Sequence, residues 1–203
     1  MNPLNSIPAA IISGVVLAII VIVIIPGTGF NEFSLTRWLH ILSGIMWIGL
    51  LYYVNVAQIP ALAVAAADKG GPGGAGITKY VAPRVLLWFR WAAVMTWLTG
   101  AWYLGRSADF AGAFMLGMGG ESVNLYQLVI GIGAWLGTIM LFNVWVLIWP
   151  NQQKILGIKP ATDEEKNRAR RVAFLASRTN TMLSIPMLFF MAAGWSHRAI
   201  FGL

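Results

Sequence analysis

Long apolar stretches separated by short polar segments make up most of this chain. A helix that crosses a bilayer needs about 20 predominantly apolar residues, and several stretches reach or approach that length. They predict helices at residues 7–26, 35–62, 83–105, 123–150 and 172–200. The pattern therefore predicts an all-α integral membrane bundle of five transmembrane helices, which forms a single transmembrane domain over residues 1–203.

Prolines and glycines set the predicted helix limits. Pro60 falls near the end of the second helix, Pro150 ends the fourth, and Pro186 interrupts the fifth and frees a carbonyl group. The glycine-rich residues 106–121 are too short to span and are expected to form a loop or an interfacial segment. Residues 162–165, Thr-Asp-Glu-Glu, carry the capping signature of a short helix that precedes the fifth span.

Lysine and arginine positions predict the orientation of the bundle. The segments after the second and fourth helices carry the basic residues Lys69, Lys79, Arg84, Lys154, Lys159, Lys166, Arg168, Arg170 and Arg171. The opposite side carries Arg37, Arg106 and Arg198. By the positive-inside rule, the N-terminus is cytoplasmic and the C-terminus lies outside.

Composition agrees with the hydropathy pattern. The chain is 58% hydrophobic and 10% charged, whereas soluble domains are about 25% charged. The net charge of +7 lies in short loops and not in one solvated patch, so no nucleic-acid partner is expected. The chain has no cysteine, which excludes disulfides, iron–sulfur clusters and attached c-type haem. A metal or haem would depend on histidines, methionines or carboxylates.

The second predicted helix carries a candidate cofactor site. Arg37, His40, Gly44 and Trp47 fall on one helical face, and ionisable residues inside a bilayer are functional candidates. At 1.5 Å per residue, His40 and His197 both lie within roughly 10 Å of the outer surface. Two histidines at one depth are the arrangement that bis-histidine haem ligation needs. Alternatively, His40 only bonds a neighbouring helix and His197 lies among the lipid headgroups.

A second polar cluster is predicted near the cytoplasmic side. Its members lie one to two turns inside different helices: Asn55, Arg90, Asn143, Arg178 and Asn180. No acidic residue is available at that depth to neutralise the arginines. They therefore either extend to water or meet an anion, such as a lipid phosphate, a haem propionate or an anionic substrate. Asn143 is expected to hydrogen-bond across the bundle.

Several stretches resemble the membrane domain of bacterial urate hydroxylase, the urate oxidase N-terminal family. They are Arg37–Gly49, Lys79–Pro83, Trp88–Trp91, Thr96–Gly100, Leu136–Met140, Asn143–Trp145, Ile148–Gln152 and Thr179–Phe189. They lie in family order and touch four of the five predicted helices.

The resemblance implies a fold with more helices, a C-terminal cytochrome c domain and oxidation of a purine with electrons leaving through haem. His40 matches a family histidine, and Asn143 and Asn180 match retained polar positions. This chain has leucine at 86 and 87 and arginine at 178 where the family pattern implies further histidines.

Taken together, the sequence predicts a membrane-embedded electron-transfer protein with haem b, or a haem-bearing subunit of an oxidoreductase complex. His40 and His197 are the expected metal ligands. Membrane lipids, further membrane subunits or a cytochrome c are the expected partners, in a bacterial inner membrane. Two alternatives stay open. One is a non-redox accessory subunit of a larger membrane complex, and the other is a protein that binds or transports an anionic small molecule.

Overall fold

A computed structural model describes residues 2–25, 29, 31–107 and 110–196. Its α-helices are α1 (Ile7–Ile24), α2 (Glu32–Tyr52), α3 (Ile59–Ala67), α4 (Ala82–Ser107), α5 (Phe110–Phe114), α6 (Leu125–Phe142), α7 (Trp149–Ile155) and α8 (Asp163–Ser196). A 3-10 turn at Pro3–Asn5 precedes α1. No strand occurs within these described ranges, so the all-α prediction is confirmed.

Among the described residues, three continuous helices are long and apolar enough to cross a membrane. They are Ile7–Ile24, Glu32–Ala67 and Leu125–Ile155, with mean hydropathies of 3.0, 1.6 and 1.8 in their most apolar windows. These helices are compatible with a membrane protein. The five-span topology and the orientation of the termini remain predictions.

The chain divides into two units, Met1–Glu32 and Phe33–Leu203. The first unit contains α1, whose start is capped because the Ser6 hydroxyl accepts the Ala9 N–H at 3.3 Å. This helix ends at Ile24, close to the predicted end. The second unit contains the remaining helices and both candidate sites.

Prolines shape the second unit through π-helical turns. Such turns occupy Tyr53–Gln58, Ile77–Val81 and Asn143–Ile148, and the residue pairs that follow them are Ile59-Pro60, Ala82-Pro83 and Trp149-Pro150. Proline has no N–H, and its ring clashes with the carbonyl four residues earlier. In each case the residue before the proline donates its N–H to the carbonyl five residues earlier. The wider turn therefore lets each helix pass its proline unbroken.

This arrangement corrects the predicted helix limits. Pro60 and Pro150 do not end their helices, which continue to Ala67 and Ile155. The third predicted helix begins with the π-helical turn at Ile77 and not at residue 83. Pro186 lies inside the fifth helix as predicted, and α8 continues on both sides of it.

The predicted capping box at the start of α8 is confirmed. The Glu165 N–H donates to the Thr162 hydroxyl at 3.2 Å, and the Thr162 N–H donates to a Glu165 carboxylate oxygen at 2.8 Å. This backbone hydrogen bond lowers the pKa of Glu165. The helix that starts here is continuous with the fifth predicted span, and together they form the single helix α8.

The segment predicted as a loop or interfacial stretch contains the short helix α5. α5 packs closely on α6 where Gly131 lies against the Ala113 carbonyl oxygen. The Trp135 indole also donates to the Phe114 carbonyl at 3.0 Å. The glycine on α6 thus allows a backbone contact that any side chain would block.

The apolar core joins α2, α4, α6, the π-helical turn Asn143–Ile148 and α8. Its buried members are Trp47, Ile48, Leu51, Phe89, Ala92, Ala93, Met140, Val144, Ile148, Ala176 and Met187. Three of these members are alanines, Ala92 and Ala93 in α4 and Ala176 in α8, and small side chains allow helices to approach closely.

Buried amides add hydrogen bonds between helices beside this core. The Asn143 amide donates to the Asn180 side-chain oxygen at 2.8 Å, and Asn180 donates to the Met140 carbonyl at 3.0 Å. Asn180 is 0% exposed. These bonds confirm the expectation that Asn143 hydrogen-bonds across the bundle, and they fix α6 against α8.

We predict that Asn180→Leu lowers the free energy of unfolding by roughly 1–3 kcal/mol, because it leaves the buried Asn143 amide unpaired. The double variant Asn143→Leu/Asn180→Leu should lose less than Asn180→Leu alone, since no amide is then left without a partner. Denaturant unfolding of the purified protein in detergent measures both values. The exposed Asn167→Leu is the control; equal losses in the single and double variants would contradict the network.

We predict that Gly131→Ala destabilises the bundle by roughly 1–3 kcal/mol, because the added methyl group overlaps the Ala113 carbonyl oxygen. Gly137, on the same helix, has nothing within 4 Å of the position that a Cβ would take. Gly137→Ala should therefore be neutral or stabilise by up to about 1 kcal/mol through helix propensity. Thermal unfolding compares the two variants, and a neutral Gly131→Ala would exclude the close contact.

Candidate functional site

The His40 imidazole is held between α2 and α4. Its Nδ1 lies 2.8 Å from the Thr96 carbonyl oxygen, and a carbonyl oxygen only accepts hydrogen bonds. Nδ1 therefore carries the hydrogen, and in the neutral ring Nε2 has the free lone pair. The ring also packs on Gly100, where an added Cβ would lie 2.8 Å from the His40 Cε1 atom. The ring position is thus fixed by two contacts with α4.

His40 borders a cavity of about 490 Å³ between α2, α4, α6 and α8, which we call the His40 cavity. Its other lining residues are Arg37, Ile41, Gly100, Tyr103, Leu104, Tyr126, Ile130, Leu188, Met191 and Ala192. A smaller cavity of about 60 Å³ also borders His40 and includes Trp47, Met187 and Met191. The imidazole therefore lies beside both spaces, and Met191 lines both as well.

The predicted face of α2 is directed mainly toward α4. Arg37 and His40 border the His40 cavity, and Trp47, 2% exposed, lies in the apolar core. Gly44 does not line either of these cavities. The Thr96 methyl group lies 3.8 Å from the position of a Gly44 Cβ, so this glycine brings α2 close to α4. His197 lies outside the described residues.

The His40 cavity is lined by residue types that can ligate haem iron. Haem iron accepts a histidine nitrogen together with a second histidine or a methionine sulfur, and a backbone carbonyl on the other ring nitrogen orients such a ligand. His40 meets both conditions, and Met191 supplies a thioether on the same cavity. Within the described ranges, no three or more His, Asp or Glu residues gather as a polydentate metal site.

Sequence reasoning included methionines only as a class and did not single out Met191, which lines the His40 cavity. A signal was present, since Met187 and Met191 are four residues apart and share one face of α8. Apolar helices commonly carry such pairs as packing residues. Only the approach of α8 to the His40 cavity distinguishes this pair from the other methionines.

The members of the second predicted polar cluster make different contacts. Asn55 donates to Ser177 at 2.8 Å, and Asn143 bonds Asn180. The Arg90 guanidinium lies 3.7 Å from the Trp149 ring centroid, and that of Arg178 lies 5.3 Å from the Phe174 ring centroid. The two arginines thus stack on aromatic rings, an arrangement that favours a cation without an anionic partner.

A larger cavity of about 600 Å³, which sequence reasoning missed, lies beside Gln58; we call it the Gln58 cavity. Its lining residues are Leu51, Val54, Gln58, Ile59, Leu62, Thr78, Ala82, Leu86, Phe89, Ile148, Gln152, Ile155, Leu156, Arg170, Arg171, Ala173, Phe174 and Ser177. The π-helical turn Tyr53–Gln58 supplies the inner polar side chain. The sequence signal for this cavity is a glutamine two residues before Pro60. The order of residues along the chain did not indicate which side chains would lie near this glutamine.

Comparison with known proteins bears on the last third of the described helices. A family model described as urate oxidase N-terminal matches residues 126–200, which confirms the resemblance over α6, α7 and α8. The matched segment includes Asn143, Asn180 and Met191 but not His40. No curated protein and no solved structure matches the chain. The match indicates an oxidoreductase-related domain.

We predict that Gly100→Ala displaces the His40 ring, because the new methyl group would lie 2.8 Å from Cε1. The hydrogen bond from Nδ1 to Thr96 should then lengthen or break. Nitrogen-15 NMR of protein labelled at histidine detects this as a changed Nδ1 resonance, with His197→Ala used for assignment. Gly105→Ala is the matched control on α4, since nothing lies within 4 Å of its Cβ position. An unchanged Nδ1 resonance in Gly100→Ala would contradict the contact.

Proposed function

We propose that this chain is a membrane-embedded b-type haem electron-transfer protein or a haem-bearing subunit of a membrane oxidoreductase complex. The observation that carries the proposal is the His40 imidazole. Its Nδ1 hydrogen is donated to the Thr96 carbonyl, which leaves Nε2 as a ligand beside a cavity of about 490 Å³. The family match to an oxidoreductase-related domain supports the same reading.

Each residue around the His40 cavity has a stated role in this proposal. His40 would hold the iron through Nε2, and Arg37 would pair with a propionate group. Gly100 allows the imidazole to lie against α4. The haem supplies one-electron chemistry, and the protein sets its potential through the axial ligands and the burial of the site.

A second iron ligand would come from His197 or Met191. His197 is the ligand that the sequence predicts, and Met191 lines the His40 cavity. The choice matters for function, because a methionine ligand raises the reduction potential relative to a second histidine. The two ligand sets also differ in their spectra, which makes the choice measurable.

The proposal places the chain in a bacterial inner membrane, where it exchanges electrons with other membrane subunits or a cytochrome c. Three helices of sufficient length and apolar character support a membrane location. Any enzymatic activity belongs, in this view, to the complex of which the chain is an oxidoreductase subunit.

The two alternatives receive different support. An anion site at Arg90 and Arg178 loses its main argument, because each guanidinium stacks on an aromatic ring. A non-redox accessory subunit remains the second candidate, and the unpaired indole N–H groups of Trp47 and Trp145 are equally compatible with it. Such a subunit would purify without colour.

We predict that the protein purified from haem-supplied cells shows a b-type Soret band and α band on reduction with dithionite, and that His40→Ala removes most of the bound haem. The reason is that His40 is the ligand common to both proposed ligand sets. Met182→Leu, at an exposed methionine of α8, is the control and should keep the spectrum.

The ligand variants complete this experiment. Loss of low-spin character in His197→Ala indicates two histidine ligands, whereas the same loss in Met191→Leu indicates a histidine and a methionine. Protein that binds no haem at saturating supply, with His40→Ala indistinguishable from the parent protein, would exclude the proposed function and favour an accessory subunit.

A further inference from the structure

Two arginines of α8 lie at the surface end of the Gln58 cavity. Arg170 and Arg171 both line the cavity, and both are exposed. Arg170 donates to the Asn167 side-chain oxygen at 2.7 Å, whereas Arg171 forms no hydrogen bond or ion pair within the described part of the chain. No aspartate or glutamate is among the lining residues. The cavity therefore has a positively charged edge that no lining side chain neutralises.

The acidic residues at the start of α8 are paired with other groups. Asp163 lies 3.6 Å from the Lys166 ammonium, and Glu164 lies 3.5 Å from the Arg168 guanidinium. Glu165 closes the capping box. None of the three carboxylates lines the cavity. An anion that pairs with the two arginines of the cavity must therefore come from a ligand.

The inner surface of the Gln58 cavity is mostly apolar. Leu51, Leu86, Phe89 and Ile148 belong to this surface and are buried. Along α8 the lining residues extend from position 170 to position 177, which is about 10 Å at 1.5 Å per residue. This length is roughly two-thirds of the 15 Å that one hydrocarbon leaflet measures. A ligand that fits therefore has an anionic end and an apolar chain.

The polar side chains further inside do not suit an anionic head group. The Gln58 side-chain oxygen is buried and accepts no hydrogen bond from the described residues, and a phosphate oxygen, which is itself an acceptor, cannot pair with it. The Ser177 hydroxyl already accepts the Asn55 amide at 2.8 Å. The charged end of a ligand therefore belongs at the arginines, and its apolar chain passes beside Gln58.

We infer that the Gln58 cavity binds an anionic phospholipid. Its phosphate pairs with Arg170 and Arg171, since guanidinium groups bind phosphate oxygens through paired hydrogen bonds. One acyl chain fills the cavity of about 600 Å³ between α2, α4, α7 and α8. Basic pockets between membrane helices are a known type of site for anionic lipid head groups. This binding is independent of haem at His40 and is tested without it.

The test uses the full chain in detergent and follows a titration with phosphatidylglycerol by native mass spectrometry. We expect the parent protein to retain a tightly bound lipid. Arg170→Gln/Arg171→Gln should weaken this binding about tenfold or more, because each basic group near the phosphate contributes to the affinity. Phosphatidylcholine, whose head group has no net charge, should bind about tenfold more weakly than phosphatidylglycerol to the parent protein.

Matched variants locate the site and separate binding from folding. Lys166→Gln/Arg168→Gln removes the same charge from α8 outside the cavity and should keep the affinity of the parent protein. Val54→Phe narrows the cavity at a lining position without a change of charge and should weaken lipid binding severalfold. Because Arg170 and Arg171 are exposed, their double variant should have the lipid-free Tm of the parent. Phosphatidylglycerol should raise the Tm of the parent more than that of this variant.

Three results would overturn the proposal. Equal weakening in the two charge variants would show a general effect of surface charge. Inorganic phosphate that binds as tightly as phosphatidylglycerol would show a site for a free anion and not for a lipid. A loss of binding in Gln58→Leu as large as that in Arg170→Gln/Arg171→Gln would place the polar end of the ligand at the amide.

Discussion

Hydrogen bonding of amide groups inside an apolar helical bundle is the constraint on which the rest of this structure depends. In a bilayer no water is available to pair such groups, so each amide must find a partner on another helix or carry a cost. The Asn143–Asn180 pair and the bond from Asn55 to Ser177 meet this requirement and hold α8 against two other helices. Apolar packing alone would not specify this register, because apolar contacts between helices have little directionality.

Proline position is coupled to these polar contacts. The π-helical turns that precede Pro60 and Pro150 contain Asn55, Gln58 and Asn143, all of which are buried. A π-helical turn adds one residue to the helical repeat, and it changes the direction of the side chains that follow. The same backbone adjustment thus relieves the missing N–H of proline and places amides inside the bundle.

Two cavities at different positions along α2 result from this architecture. The His40 cavity has an oriented imidazole, a guanidinium and a thioether on its surface, whereas the Gln58 cavity has a hydroxyl and an amide whose oxygen accepts no hydrogen bond from the described residues. Their chemistry differs accordingly, because only the first cavity offers an imidazole nitrogen, and the second offers an amide and a hydroxyl group.

Hydropathy alone determined the helical class, the approximate positions of the long helices and the capping box at Thr162, because these depend on local composition and on contacts within a few residues. Tertiary structure decided three other features. They are the passage of helices through Pro60 and Pro150, the stacking of Arg90 on Trp149 and the approach of Met191 to the His40 cavity. Each requires a partner on a distant segment or a change in helical repeat, and neither is encoded in the periodicity of a single helix. His40 was singled out by its residue type, but its hydrogen bond to Thr96 could be found only once α2 and α4 were placed side by side.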